Sequence, residues 1–351
     1  MAISYANSLQ PFIVLDKNQF RGVNAANAIA DAQRQNCQIL LIDTVFVEIA
    51  SAASKGKDWK DQFEKDFRDW VNHPELLVVA RGFGGLLRLE RDSGASALPA
   101  LVDSAMTTII QDAIRDLGVS GVGSLSKYDA RMAAQVTKLT SPGEMLDASQ
   151  NLTALRNLLD VWWKHGLWWS KDKGAALKLL KAEVQDNSAT AYEAVALAAT
   201  SDSVFAGIED ALLQTNTGYL PAVAKRLMSE PSFTMFVWAA REVMSLYYYA
   251  LGRKSGDITN ADRELNQTLD TTYLGYGLGC RQLTTAEHVI RRLDAGFRRV
   301  LADRWASTDG TDAKSLHDRR EKRAYYHWVD RGRPNGDDWT DWFRATADVT
   351  R

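Results

Sequence analysis

The chain has 351 residues, of which 46% are hydrophobic and 25% charged, a composition typical of globular proteins and not of disordered or fibrous ones. Its 42 basic and 44 acidic residues leave a net charge of −2, which excludes the global positive field of a strongly basic nucleic-acid-binding protein. The length allows one large domain or two of ordinary size.

The two cysteines, Cys37 and Cys280, lie far apart and outside any CxxC motif, which argues against a disulfide framework and against a structural zinc site. The N-terminus lacks the basic and apolar segments of a signal peptide. The most apolar segment, 233–251, has Arg241 and Glu242 at its middle, which predicts a buried amphipathic helix rather than a membrane span. We therefore expect a cytoplasmic protein without membrane partners.

Residues 11–54 have the pattern of strand, helix, strand, helix. The apolar run 12–15 ends at Asp16, and a second run, 39–42, ends at Asp43. The helical pattern between them predicts a right-handed crossover and a parallel sheet. Both acids then fall at the carboxyl edge, where such sheets place their sites.

Residues 58–251 have a mainly helical pattern, with one candidate strand at 76–80 and a glycine-rich loop at 82–85. Residues 257–293 return to an α/β pattern, with a helix over 261–277, a strand over 280–285 and a helix over 286–293. The helices predicted between residues 58 and 251 cover 59–72, 98–117, 127–139, 143–165, 174–184, 189–199, 203–214, 221–229 and 233–251.

Four acids lie on or just beyond these apolar elements: Asp16, Glu48, Asp270 and Glu287. Glu48 lies one turn into the helix that follows the second strand. Carboxylates gathered at one point repel each other unless a cation sits among them. Mg²⁺ suits such oxygen ligands and leaves positions for water and phosphate, and Mn²⁺ fits the same set.

The acids occur in short motifs, in the order Leu15-Asp16, Thr44-x-x-x-Glu48, Asp270-x-x-Tyr273 and Thr284-Thr285-Ala286-Glu287. This series resembles the PIN and PIN-like nucleases. The resemblance implies a parallel sheet flanked by helices and metal-dependent cleavage of RNA, often single-stranded, by proteins that serve as toxins, processing factors or defence effectors. It makes Asp16, Glu48 and Asp270 metal ligands, adds Glu287 as a fourth acid, and suggests Asn266 and Thr285 as hydrogen-bonding groups around them.

The expected fold class is α/β: a PIN-like domain built from residues 1–57 and 252–300, interrupted by a large all-helical insertion at 58–251. A C-terminal helical hairpin occupies 301–351. Its turn, Gly332-Arg333-Pro334-Asn335-Gly336 followed by tryptophan, resembles a short bacterial module of unknown function. Four basic residues of this region are candidate nucleic-acid contacts: Arg319, Arg320, Lys322 and Arg323.

We therefore expect a metal-dependent endonuclease that acts on single-stranded RNA in preference to DNA, with all four acids as catalytic residues. The insertion would bind substrate, a regulatory protein or a second copy of the chain. The alternative is a non-catalytic helical interaction protein built on a degenerate PIN-like scaffold.

Overall fold

Four strands form one parallel sheet in the order β3-β2-β1-β4. The strands are β1 (Gln10–Leu15), β2 (Gln38–Leu41), β3 (Leu77–Val79) and β4 (Cys280–Thr284). These bounds come from a computed structural model. It describes residues 5–42, 45–46, 49, 58–139, 156–157, 159–160, 184–186, 189–199, 220–258 and 271–305.

The remaining regular structure of the described part is helical. Its α-helices are α1 (Tyr5–Ser8), α2 (Gly22–Gln35), α3 (Trp59–Phe67), α4 (Phe83–Ser93), α5 (Ser104–Ser120), α6 (Asp129–Leu139), α7 (Ala189–Ala199), α8 (Pro221–Ser229), α9 (Phe233–Ala250), α10 (271–278) and α11 (His288–Arg304). Short 3₁₀ helices cover Lys17–Gln19, Arg68–Trp70, Pro74–Leu76, Leu98–Ala100, Val122–Tyr128 and Ser255–Asp257.

Helices cover both faces of the sheet, because successive strand side chains point to opposite sides. Ile13 and Leu15 pack into a core formed with α2, α3 and α5, whereas Val14 packs into a second core with α4, α9, α10 and α11. A parallel sheet buried on both faces needs strands with apolar residues on both sides, and residues 13–15 of β1, 39–41 of β2 and 77–79 of β3 are all apolar and buried.

The predicted α/β class with a parallel sheet is confirmed, and all four strands lie within a residue or two of their predicted positions. β3 pairs with β2 although it comes from the segment 58–251, so that segment is not all-helical and the sheet extends past residue 57. The loop predicted at 82–85 is wrong, because α4 begins at Phe83. Helices predicted at 143–165, 174–184 and 203–214 lie largely or wholly outside the described residues.

A buried carboxylate fixes the start of α9. Glu90 of α4 is fully buried, and its oxygens accept hydrogen bonds from the backbone N–H groups of Ala97 (2.7 Å), Phe233 (2.8 Å) and Thr234 (2.7 Å). Ser232 caps the same helix through Met235 N (3.1 Å). Burial raises the pKa of Glu90, although these N–H donors oppose the shift.

Helix α9 is buried on almost every side, including Glu242, so it is a core helix rather than a one-sided amphipathic helix. Across the part of the chain that the structure describes, we find no helix with the length and apolar character needed to cross a bilayer.

Candidate active site

Asp16 is a buried carboxylate at the carboxyl end of a central strand. It follows β1 directly, is 6% exposed, and donates its backbone N–H to the carbonyl of Thr284 (2.9 Å). Asp16 occupies the N-cap position of Lys17–Gln19, yet its side chain makes no capping hydrogen bond. The carboxylate is therefore directed to something other than the helix that it precedes.

Thr285 provides that contact from the end of the neighbouring strand. Its hydroxyl donates to Asp16 Oδ2 (3.1 Å) and accepts from the backbone N–H of Glu287 (3.0 Å). The register of the sheet explains the meeting, since Leu15 is paired with Thr284 and the next residue of each strand leaves the sheet at the same edge. Thr285 is 8% exposed, so this contact is screened from water.

Glu287 lies at the same edge but faces solvent. It is the N-cap residue of α11, its side chain makes no capping hydrogen bond, and the residue is exposed. Its link to Asp16 runs through its backbone and Thr285. The structure thus brings the side chains of Asp16 and Thr285 into contact and places the backbone, but not the side chain, of Glu287 beside them.

The other residues predicted for this site lie outside the described residues: Glu48, Asp270 and Asn266, with Asp43 and the basic residues Arg319, Arg320, Lys322 and Arg323. Their immediate neighbours are described in two cases. Val45, Phe46 and Ile49 are buried in the core beneath β1 and β2, and Thr271, the residue after Asp270, is helical.

The strand order independently indicates a ligand site at this edge of the sheet. From β1 the chain moves outward to β2 and β3, and β4 then returns to the opposite side of β1. Open α/β sheets bind ligands in the crevice at the carboxyl ends of the two strands where the order reverses. Those strands are β1 and β4, which carry Asp16 and Thr285.

The loop that follows Asp16 is held by residues that the sequence patterns did not identify. Asp66 of α3 is 1% exposed and accepts from Arg21 Nε (2.8 Å) and from Gln62 Nε2 (2.8 Å). Arg21 is the N-cap residue of α2, so this ion pair ties the loop to α3. The signal available in the sequence was an acid inside the apolar face of a helix, between Phe63 and Phe67.

Two further contacts fix the start of α2. Asp69 Oδ2 accepts from the backbone N–H of Gly22 (2.6 Å), and Trp70 Nε1 donates to the carbonyl of Phe20 (3.0 Å). Gly22 has φ of +60°, a conformation that favours glycine. The chain between Asp16 and α2 is therefore pinned at three successive residues, 20, 21 and 22.

Among the residues that the structure describes, no group of three or more His, Cys, Asp or Glu side chains is placed to hold a metal ion. Two of the four predicted ligands, Glu48 and Asp270, lie outside those residues, so the predicted four-acid set stays a prediction.

Comparison with known proteins adds one finding. Residues 315–350 match a family model described as "Protein of unknown function (DUF2934)", which confirms the resemblance of the C-terminal segment to a module of unknown function. No curated protein and no solved structure matches the chain.

Proposed function

We propose that this protein is a PIN-like, metal-dependent endonuclease that hydrolyses phosphodiester bonds of single-stranded RNA. The observation that carries the proposal is the buried Asp16 carboxylate, placed at the strand-order reversal and oriented by Thr285. A carboxylate out of water is costly unless it is hydrogen-bonded or paired with a cation.

The buried Asp16 carboxylate supports a hard divalent ion as the ligand of this edge. The neutral Thr285 hydroxyl donates to Oδ2 of Asp16, so it does not balance the charge of the carboxylate. Mg²⁺ and Mn²⁺ are held in proteins by one or two carboxylates, and water fills their remaining coordination positions. Glu48 and Asp270 would supply the further carboxylates. When bound, the ion lowers the pKa of a coordinated water and neutralises charge on the phosphate.

The protein's own residues divide the remaining work. Asp16 would hold the ion, and the Thr285 hydroxyl holds one carboxylate oxygen, so the orientation of the ligand would be set before binding. Glu287 faces solvent at the same edge, which is the side from which a long substrate would approach. The basic C-terminal segment with Arg319, Arg320, Lys322 and Arg323 would contact the RNA backbone.

The PIN resemblance suggests a cytoplasmic toxin or an antiphage defence effector. Such an enzyme needs restraint, and the segment 58–251 is the part of the chain with room for a regulatory protein or a second copy. The competing proposal is an interaction protein on a degenerate nuclease scaffold, for which Asp16 would be a structural buried acid.

The test is cleavage of labelled single-stranded RNA and DNA with Mg²⁺, Mn²⁺ or a chelator. Asp16→Asn keeps the size and the acceptor for Thr285 but removes the charge, so we expect a loss of about 100-fold or more, equivalent to ~3 kcal/mol of transition-state stabilisation. Asp31→Asn, on the surface of α2, is the matched control and should cleave as the parent does. Equal cleavage by all three proteins would reject Asp16 as a ligand and mean that another site or another protein is responsible, whereas no cleavage by any of them would support the interaction protein.

A further inference from the structure

Arg298 of α11 makes an unusual set of contacts at the amino end of β4, the end opposite the candidate site. Its guanidinium donates to the carbonyls of Gly277 (2.7 Å), Cys280 (2.9 Å) and Arg281 (3.3 Å), and to Asp294 Oδ2 (2.9 Å). The side chain is about one-fifth exposed. Almost the whole donor set of this arginine is therefore committed inside the protein.

These contacts join three elements of the candidate site. Gly277 lies in the last turn of α10, whose described part starts at Thr271, the residue after Asp270. Cys280 and Arg281 are the first residues of β4, which ends at the residue before Thr285. Arg298 itself belongs to α11, which begins after Glu287. The Arg298 guanidinium thus connects α10, β4 and α11, which lie next in sequence to Asp270, Thr285 and Glu287.

The surroundings of Arg298 show close packing at the same place. The last carbonyls of a helix lack partners within the helix, and here Arg298 and the hydroxyl of Tyr5 supply them, the latter through Leu278 O (2.9 Å). A Cβ atom on Gly277 would lie 2.9 Å from Leu283 Cβ, so α10 lies directly against β4. Small shifts of α10 are therefore transmitted to β4.

Asp294 shows that the pair is not optimised for stability. Its Oδ2 pairs with Arg298, whereas its buried Oδ1 has no hydrogen-bond partner among the described residues. A buried ion pair with an unsatisfied oxygen contributes little net stability, and such pairs are retained in some proteins for structural specificity.

We propose that Arg298 is a positioning residue: by joining α10, β4 and α11 it holds Thr285 against Asp16 and so keeps the metal ligand in its working orientation. The importance of this for catalysis rests on the proposed nuclease function. The geometric part, that Arg298 fixes the Thr285–Asp16 contact, stands without it.

The test compares Arg298→Lys with Arg299→Lys, the same substitution at the neighbouring position, whose partner Glu193 is on α7. Lysine keeps the charge beside Asp294 but cannot reach three carbonyls as the planar guanidinium does. Arg298→Met is avoided, since it leaves a buried acid without its cation and unfolding would confuse the result.

Hydrogen exchange by mass spectrometry reports the geometric part. For folded Arg298→Lys we expect exchange about tenfold faster in peptides covering 10–20 and 280–290, the factor for one lost hydrogen bond, with residues 104–120 unchanged. Parental exchange in the two site peptides, or an equal rise in 104–120, overturns the proposal.

Mn²⁺ titration reports the functional part, with Asp16→Asn as the reference for loss of a ligand. We expect affinity to fall about tenfold in Arg298→Lys and to be unchanged in Arg299→Lys. Parental affinity in Arg298→Lys overturns the positioning of the metal ligand but leaves the nuclease proposal intact. If the parent itself binds no Mn²⁺, the nuclease proposal fails, and the exchange result alone decides whether Arg298 holds the contact.

Discussion

One hydroxyl group links two residues that are 269 positions apart in the chain, Asp16 and Thr285. Because Thr285 also accepts from Glu287 N, its single proton is directed to the carboxylate and its lone pair to the backbone. The orientation of the Asp16 side chain thus depends on the position of Thr285, the residue that follows β4.

We expect Thr285→Val, which keeps the shape and removes the hydroxyl, to lower Mn²⁺ affinity and cleavage rate by roughly 10-fold to 100-fold, the range for outer partners of metal ligands. Calorimetric titration and single-turnover cleavage measure the two quantities. Thr108→Val, on the exposed side of α5, is the control. Parental values for Thr285→Val would mean that the hydroxyl has no part in orienting Asp16.

The loop after Asp16 gives a second prediction for a single residue. Asp66→Asn removes the charge from the buried partner of Arg21, whose own side chain is 36% exposed, so we expect the free energy of unfolding to fall by about 1.5–3 kcal/mol, the range for a hydrogen bond to a charged group. Asp31→Asn breaks the surface pair with Arg34 and should cost less than about 1 kcal/mol. Urea unfolding distinguishes them, and equal losses would show that Asp66 is solvated in solution.

Helices α4 and α9 are joined by Glu90, whose oxygens accept three backbone N–H groups. Glu90→Gln places an amide NH₂ against one of those donors, so we expect a loss of about 1–3 kcal/mol. Because burial raises the pKa of Glu90, the folded protein binds this proton more tightly than the unfolded chain. The stability from Glu90 is therefore fully present below its unfolded pKa and declines as the pH rises through its folded pKa.

Chemical unfolding of parent and Glu90→Gln across this pH range measures the effect, and the difference between them should shrink as the pH rises. Glu75→Gln, at an exposed position, is the control and should change little at any pH. A pH-independent difference would contradict the raised pKa.

Local patterns predicted the strands because each is a short apolar run bounded by polar residues. They missed α4, since Gly84 and Gly85 in its first turn are poor helix formers and its buried face includes the charged Glu90. They predicted a helix from 98, whereas α5 begins at Ser104 after Asp103 caps it through Met106 N (3.0 Å).

The candidate site was predictable only in part, because a local pattern can place a residue at the end of a strand but does not report its partners on other elements. Asp16 and Thr285 follow strands, so their place at the carboxyl edge could be inferred from the parallel sheet. Asp66 and Arg298 act through partners on other elements, Arg21 and Gly277, and no periodicity in the sequence reports such a pairing.

At the scale of the molecule, the net charge of −2 does not show that basic residues are concentrated in the C-terminal segment. If Arg319, Arg320, Lys322 and Arg323 contact phosphates, replacing all four by Gln removes four counterion-releasing contacts. The slope of log affinity against log salt for single-stranded RNA should then decrease by about 3. Fluorescence anisotropy at several salt concentrations measures the slope.

The control for this prediction removes the same charge elsewhere. Replacing Arg34, Arg68, Arg115 and Lys127 by Gln changes four side chains that are about half exposed or more, on α2, α5 and two 3₁₀ helices. For this control variant, the slope of log affinity against log salt should equal that of the parent. If both quadruple variants lose the same slope, RNA binding depends on overall charge and not on the C-terminal segment.

We propose that Asp16 holds a divalent metal between the carboxyl ends of β1 and β4, where the strand order reverses. Calorimetric titration of the folded protein with Mn²⁺, comparing the parent with Asp16→Asn and Asp31→Asn, tests it most directly, because it needs no knowledge of the substrate. We expect Mn²⁺ binding by the parent and by Asp31→Asn, and affinity lower by at least about 10-fold in Asp16→Asn. Absence of binding by the parent, or equal binding by all three, would contradict it.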